Sequence, residues 1–562
     1  MPGREVNLLN GSTALTPLGT GDIVHIVGLM ADISQGAVRM ERPKSVGRAA
    51  RLGPARVLVL EVLCGAPGRG WYDRAVKLPS FYGVMAQAVS TWALELGCHV
   101  AYRTYTGNER VRDLLSGDWD VAFVSAYTRA SYAAYALSRH LRAAGVITAL
   151  GGPHAAAYPE ESLRYFDYVL GMTDRDTVAE VVGGRRSAGA ALGVRLTAPG
   201  HPRRFPSLRR RREFLEAAMA KARFFRVIPV LSGYGCPFEC EFCSDAKVDY
   251  QPLPLEDVED DVRFAAVRYR DPLLIWVDPN FGVRFGPLMD AIERASAGRR
   301  IRFGAQSSLT LLGRERLSRL SRARFEVVVP GLESWFSCGR KLGGIGQSQG
   351  AERVREAAAF VNEALDAIPY VQVNFVFGIE GEPVAESLDL TARFVRAAPR
   401  AWPTFNLITA WGTSSPLSQR LHAEGRVLPV PLPLLDQKSC SNVIGPPGAT
   451  LELYRGLIRL EEEAFGAGLS WQRARHARRW GTRIINFVRG RGAEMRERIE
   501  WHRQMLYRLE HDRGFEAFFE GEAVPVPPAL RERALSATRP FVEMLPREIA
   551  DELTVGKPRT AG

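Results

Sequence analysis

The sequence predicts an α/β protein made of two parallel-sheet units in tandem, followed by a mostly helical carboxyl-terminal extension. Three observations predict it. From Ala55 onward, short runs rich in Val, Ile and Leu alternate with helical stretches, the order that builds parallel sheets. The alternation breaks over a basic stretch at 184–226 and resumes over 227–425. Beyond Ser415, a Pro-rich connector at 427–433 gives way to helical periodicity that continues to the end.

Residues 1–54 carry little signal and read as an amino-terminal extension ending in a basic connector with Gly and Pro. Strands are expected at 57–62, 100–102, 121–125, 146–150 and 168–170, with helices at 82–96, 109–115, 130–144 and 160–165. Residues 55–183 are therefore a Rossmann-like or flavodoxin-like domain. Ligands of such sheets bind beyond the carboxyl ends of the strands. There the chain offers Ser125 and Thr128 after the third strand, and Gly151-Gly152-Pro153-His154 after the fourth.

Residues 184–226 read as a basic linker with one helix at 212–223. Strands then recur at 227–231, 273–277, 301–305, 325–329, 371–377 and 405–409, separated by helices. This is the repeat of an open, partial (β/α)6 barrel over 227–425, whose site lies at the carboxyl ends of its strands. In the helical domain at 426–562, Trp471, Arg475, Trp480, Phe487, Trp501 and Tyr507 are expected to pack as core stripes.

Composition narrows the class. Across 562 residues, 46% are hydrophobic and 24% charged, which is ordinary globular usage. No run approaches the roughly 18 apolar residues of a membrane helix, and the first residues lack a signal-peptide layout. Seven cysteines in this length make no disulfide framework, so a reducing, cytoplasmic setting is expected. The net charge is +12, with basic runs at 209–212 and 473–513. The second run also carries Glu494, Glu497, Glu500, Glu510 and Asp512, as a solvated, ion-paired face does. Neither nucleic acid nor a membrane is an expected partner.

The most informative segment is Tyr234-Gly235-Cys236-Pro237-Phe238-Glu239-Cys240-Glu241-Phe242-Cys243, on the loop after the first barrel strand. Three thiolates at this spacing are expected to converge. Soft sulfur donors favour zinc or an iron-sulfur cluster, yet a structural zinc site is closed by four ligands. No fourth Cys or His lies nearby; His201 is upstream across a basic stretch and Cys338 is most of a domain away. An incomplete set suits a 4Fe-4S cluster with one iron left open.

This C-x3-C-x2-C arrangement, with Phe242 before the third cysteine, resembles the signature of the radical S-adenosylmethionine (SAM) superfamily. The resemblance implies that Cys236, Cys240 and Cys243 hold three irons, that SAM chelates the fourth, and that Phe242 contacts adenine. It continues in Val277-Asp278-Pro279-Asn280-Phe281, Gly331-Leu332-Glu333-Ser334 and Phe377-Gly378-Ile379-Glu380-Gly381-Glu382, after the second, fourth and fifth strands. By resemblance these loops surround SAM, with Glu333 and Ser334 as polar contacts and Gly378 to Gly381 passing adenine. The family's Gly-Gly-Glu after the second strand is absent, and Asp278 or Asn280 stands in its place.

The segment from Ala149 to Ala155, followed by Tyr158-Pro159-Glu160, resembles the amino-terminal cobalamin-binding domain of many radical SAM enzymes. Ser125, Thr128, Gly151, Gly152 and His154 are then cobalamin neighbours, and Arg69 on the loop after the first strand is a neighbour of its lower face. The D-x-H-x-x-G motif that gives cobalt a histidine elsewhere is absent, so no protein histidine is expected on the metal.

The resemblance implies a 4Fe-4S cluster, SAM and cobalamin as cofactors, a small-molecule substrate, and an electron donor such as flavodoxin or ferredoxin. In the methyltransferases of this family, cobalamin takes a methyl from one SAM, and a second SAM is cleaved to a 5'-deoxyadenosyl radical that activates the substrate carbon. The expected activity is C-methylation of a small metabolite or natural-product precursor; no single catalytic side chain is assigned. A cobalamin-using radical cyclase and a radical-free methyl transfer to an aromatic carbon are the rivals within the class. A tRNA-modifying methylthiotransferase needs three amino-terminal cysteines, and only Cys64 and Cys98 precede the barrel. A non-catalytic cofactor sensor is the remaining alternative.

Overall fold

The computed structural model describes residues 54–66, 70–184, 193–222, 226–246, 248–337, 348–477 and 480–556. The expected extension at 1–54 falls almost wholly outside them, as do His25, Arg69 and Cys338.

The first sheet holds six parallel strands: β1 (Arg56–Val62), β2 (His99–Tyr105), β3 (Val121–Ala126), β4 (Ile147–Gly151), β5 (Tyr168–Leu170) and β6 (Val194–Leu196). Their order is β2-β1-β3-β4-β5-β6. The first five follow the flavodoxin-like arrangement, whose ligand crevice opens where β1 and β3 part. Strand β6 corrects the reading of 184–226 as a linker. Val194 and Arg195 are exposed and Leu196 half-buried, so the strand has no apolar face for a periodicity argument to find. Helices Val84–Glu95 and Ser131–Ala143 cover the sheet, the latter burying Tyr132, Tyr135 and Leu137 completely.

The second sheet holds β7 (Val227–Val230), β8 (Leu273–Trp276), β9 (Arg302–Ser308), β10 (Phe325–Glu333), β11 (Tyr370–Phe377) and β12 (Trp402–Leu407). They pair in parallel and in strict chain order, the sequential winding of a partial barrel. Strand β12 starts three residues before the expected 405, at Trp402-Pro403, because a proline is tolerated on a strand at the edge of a sheet. Period-two alternation sets the faces. On β11, Phe375 packs against Trp335 and Phe394 in the outer layer. The opposite face carries Tyr370, Gln372 and Asn374, linked by hydrogen bonds of 3.1 Å and 3.2 Å.

The carboxyl-terminal region is helical, from Ala449–Ala464 to Arg547–Val555. It packs on both sheets. Phe541 meets Tyr105 edge-on, and Arg473 lies over Trp402 while donating to the Ala401 carbonyl at 2.8 Å. Trp501 packs as expected, with its indole N–H on Ser439 O at 2.8 Å. By contrast Trp471, Trp480, Phe487 and Tyr507 are exposed, which corrects the expectation that they form core stripes. Arg475 is exposed as well.

Candidate functional site

The cysteine segment leaves β7 through Ser232 and is gathered at its base by a short antiparallel ladder, Gly233 against Pro252 and Tyr234 against Gln251. Cys236 N–H donates to Val248 O at 3.2 Å and closes the loop above the ladder. Gly235 is required at the crossing: its φ is +70°, and a Cβ there would stand 2.3 Å from Asp249 O. Cys236, Cys240 and Cys243 are half-buried, whereas Cys64, Cys98 and Cys440 are buried. Burial pushes the Cys64 thiol up to about 12 and raises Cys98 and Cys440 too, which keeps all three as inert thiols. Asp245 N–H donates to Cys243 Sγ at 3.4 Å, a bond that favours the thiolate.

Among the described residues, no three His, Cys, Asp or Glu side chains are placed around a single metal ion. A cluster asks less, since each thiolate meets its own iron. The donor set, three accessible thiols on one braced loop, fits that group.

Phe242 and Ile379 both pack against one buried apolar cluster that includes Val376 at the end of β11 and Ile408 just past β12. The structure thus brings the aromatic of the cysteine loop to the Gly378–Gly381 turn. Gly378 has φ +83° and Gly381 φ +77°, so neither position suits a side chain. The helix Pro416–Ala423 clamps both loops. Its Leu417 N–H meets Glu241 O at 2.9 Å, and Arg420 pairs with Glu241 at 3.0 Å and Glu380 at 2.7 Å.

Other expected SAM contacts are committed inside the protein. Asp278 is buried and accepts from Ser232 N–H at 3.0 Å and Ser232 Oγ at 2.6 Å. Burial pushes its carboxyl up to about 6, against the lowering effect of the Ser232 bonds. Asn280 Oδ1 accepts from Ser307 Oγ at 2.7 Å and Ser308 N–H at 3.0 Å. Ser334 is buried, and its hydroxyl donates to Glu382 at 2.5 Å. Glu333 lies at a register shift ending β10 with φ +58°, a strained backbone for a non-glycine residue of the kind that gathers at sites.

At the first sheet the β1/β3 edge carries exposed aromatics. Phe81 and Tyr127 are exposed, 5.9 Å apart, and the Arg129 guanidinium sits 5.9 Å from each ring. Below them Glu61 and Ser125 are register neighbours. Glu61 is buried, accepts from Gly83 N–H at 2.7 Å and Tyr102 OH at 2.6 Å, and is pushed by burial up to about 7. Gly152, φ +89°, brings its backbone close to Ser125: a Cβ would meet Ser125 Oγ at 2.9 Å. Gly151 ends β4 beside it. This exposed rim fits a broad cofactor such as cobalamin.

His154 and Thr128 are placed differently from expectation. Both are buried; His154 Nε2 meets Tyr135 OH at 2.6 Å and Nδ1 lies 3.4 Å from Thr128 Oγ1. Both ring nitrogens of this histidine, on the helix Pro153–Ala157, thus have partners within the protein. That helix abuts the barrel exit. Gly412, φ +44°, lies so close that a Cβ would stand 1.9 Å from Ala157 O, and Thr413 N–H donates to the same carbonyl at 3.0 Å.

Residues that sequence reasoning passed over include Phe81 and Tyr127 on the rim, and Gln372, Asn374 and Asn406 along β11 and β12. The Tyr-Val-Gln-Val-Asn alternation at 370–374 was a legible signal for a polar inner face.

The architecture matches a solved one. TsrM from Kitasatospora setae, a radical SAM methyltransferase determined with tryptophan substrate and a SAM analogue, superposes with a TM-score of 0.50 at 13% identity. The match covers 80% of this chain and 98% of that one. The chain shares the fold of that protein. TsrM with cobalamin and a [4Fe-4S] cluster bound is also similar, at a TM-score of 0.47 and 15% identity, over 67% of this chain and 76% of that one.

Two curated proteins of Chlorobaculum tepidum are similar in sequence. Bacteriochlorophyllide d C-12(1)-methyltransferase is 23% identical over 54% of this chain and 66% of its own length. Bacteriochlorophyllide d C-8(2)-methyltransferase is 24% identical over 52% and 67%. The chain thus spans about two thirds of each relative. No family model matches.

Proposed function

We propose that the protein is a cobalamin-dependent radical SAM C-methyltransferase acting on a small, flat, largely apolar metabolite or natural-product precursor. The observation that carries the reading is the joint at Gly412 and Ala157. It sets the glycine loop of the first sheet against the exit of the last barrel strand, on the edge where the cysteine loop lies. Residues 55–183 with β6 form the cobalamin unit and 227–425 the cluster unit. The named relatives support the substrate class, since tryptophan and bacteriochlorophyllide d are both conjugated ring systems.

When bound, the cluster and cobalamin would supply one-electron chemistry on SAM and methyl transfer. Cys236, Cys240 and Cys243 would hold the first; Ser125, the Gly151-Gly152 backbone, Phe81 and Tyr127 would bear the second. The apolar wall around Phe242 excludes water from the adenine side. Exposed Val277 and Phe336, beyond β8 and β10, offer apolar surface on the barrel edge to a flat substrate.

The test is anaerobic reconstitution with iron, sulfide and cobalamin, then incubation with methyl-deuterated SAM and candidate aromatic substrates. S-adenosylhomocysteine with label on a substrate carbon is expected. Deoxyadenosine without homocysteine product or label would replace methylation by the cyclase reading, and intact SAM would leave a sensor.

A further inference from the structure

The helical hairpin formed by Ala467–His476 and Trp480–Arg491 supplies none of the side chains placed at the cofactor edges above, and its outer face is unusual. Trp480, Ile484 and Phe487 recur at i, i+4 and i+7 and are 73%, 43% and 44% exposed; Trp471 on the first helix is 60% exposed. Arg475, Arg483 and Arg491 are exposed around them. Between 466 and 492 the sequence has seven arginines and no Asp or Glu. The inner face is firmly seated. Gly490 packs on Ser470, Arg489 lies 4.1 Å from the Trp402 ring and bonds Tyr370 OH, and Asn486 Nδ2 donates to Arg473 O at 3.4 Å. The exposed aromatics are thus held out by a packed hairpin.

We propose that this face docks the protein on an anionic phospholipid surface. An in-plane helix with aromatics on one side and cations beside them inserts rings at the headgroup boundary, while guanidinium groups bind lipid phosphates. This mode needs no membrane span, and no described helix is long and apolar enough to cross a bilayer.

The charge and position of this face disfavour the two other occupants. A two-fold contact of this face with a second copy would set arginine against arginine with no acid between them. An acidic electron-donor protein would dock at the wrong end. Tyr370 and Trp402, which the hairpin covers, are the first residues of β11 and β12, whereas the cysteine loop lies at the carboxyl ends. Eight residues of strand separate the two ends by roughly 25 Å.

The experiment is flotation of the full chain with vesicles of phosphatidylcholine alone or of equimolar phosphatidylcholine and phosphatidylglycerol, at low and high salt. Binding to the anionic vesicles is expected, at least about tenfold stronger than to the neutral ones and weakened by salt. Trp480→Ser with Phe487→Ser should weaken it at least about tenfold. Arg483→Glu with Arg491→Glu should do the same, with melting temperature and iron content unchanged in both variants. Equal binding by variants and wild type, or no binding to anionic vesicles, overturns the proposal. So does a concentration-dependent dimer, or flavodoxin binding, that is lost in the Trp480 and Phe487 variant.

Discussion

The carboxyl edges of the two parallel sheets are finished in different ways. At the barrel the polar side chains bind one another: Asp278 with Ser232, Asn280 with Ser307 and Ser308, Ser334 with Glu382. At the first sheet the edge presents Phe81, Tyr127 and Met172 to solvent, with its polar groups beneath. Asp278, Asn280 and Ser334 are thus braces within the barrel edge. They fix the loops, and backbone, aromatics and cysteines are what remain facing outward.

Breaking the barrel edge should have the largest effect. Asp278→Ala leaves the buried Ser232 N–H and hydroxyl without their acceptor, at a cost of about 3 kcal/mol in denaturant unfolding. In Asp278→Asn, SAM affinity should change less than about threefold, because Asp278 acts as a brace. A stable Asp278→Ala protein that has lost SAM binding would make it a ligand contact.

The first sheet offers a pH test. The Glu61 carboxyl is raised from 4.5 to about 7 by burial, so the folded state keeps its proton where the unfolded chain has lost it. The resulting stability is full below about pH 4.5 and is lost as pH rises through about 7, about 3 kcal/mol in all. Glu61→Gln should remove that loss, so urea unfolding at pH 5 and pH 8 should show the variant gaining on wild type at the higher pH. A parallel pH dependence in both proteins would mean that Glu61 is ionised when folded.

Smaller effects separate the edges further. Ser334→Ala should cost about 1 kcal/mol. His154→Ala should leave the cob(II)alamin electron paramagnetic resonance spectrum unchanged, without imidazole nitrogen splitting, because both nitrogens of His154 already have protein partners. Splitting in wild type that disappears in the variant would place the histidine on cobalt.

Much of this was legible in the sequence, and the misses have physical causes. Strand 168–170 was placed to the residue because Tyr-Val-Leu is short, apolar and bounded by Asp167 and Gly171. Strand β6 was hidden because two of its three side chains face solvent. The three cysteines and Phe242 announced themselves by spacing. The partners of Asp278 and Ser334 could not, since Ser232 is 46 residues before the one and Glu382 48 after the other, and only the barrel closes those gaps. The exposure of Trp480 and Phe487 was equally invisible, because helical spacing alone does not say which side of a helix faces the protein.

The proposed function requires the loop between β7 and the helix Leu255–Arg268 to hold a cluster through three thiols and no others. Iron content and visible absorbance after anaerobic reconstitution test it most directly. Both should be lost in Cys240→Ala and fully retained in Cys98→Ala and Cys440→Ala, whose thiols are buried. Full cluster content in Cys240→Ala would contradict it.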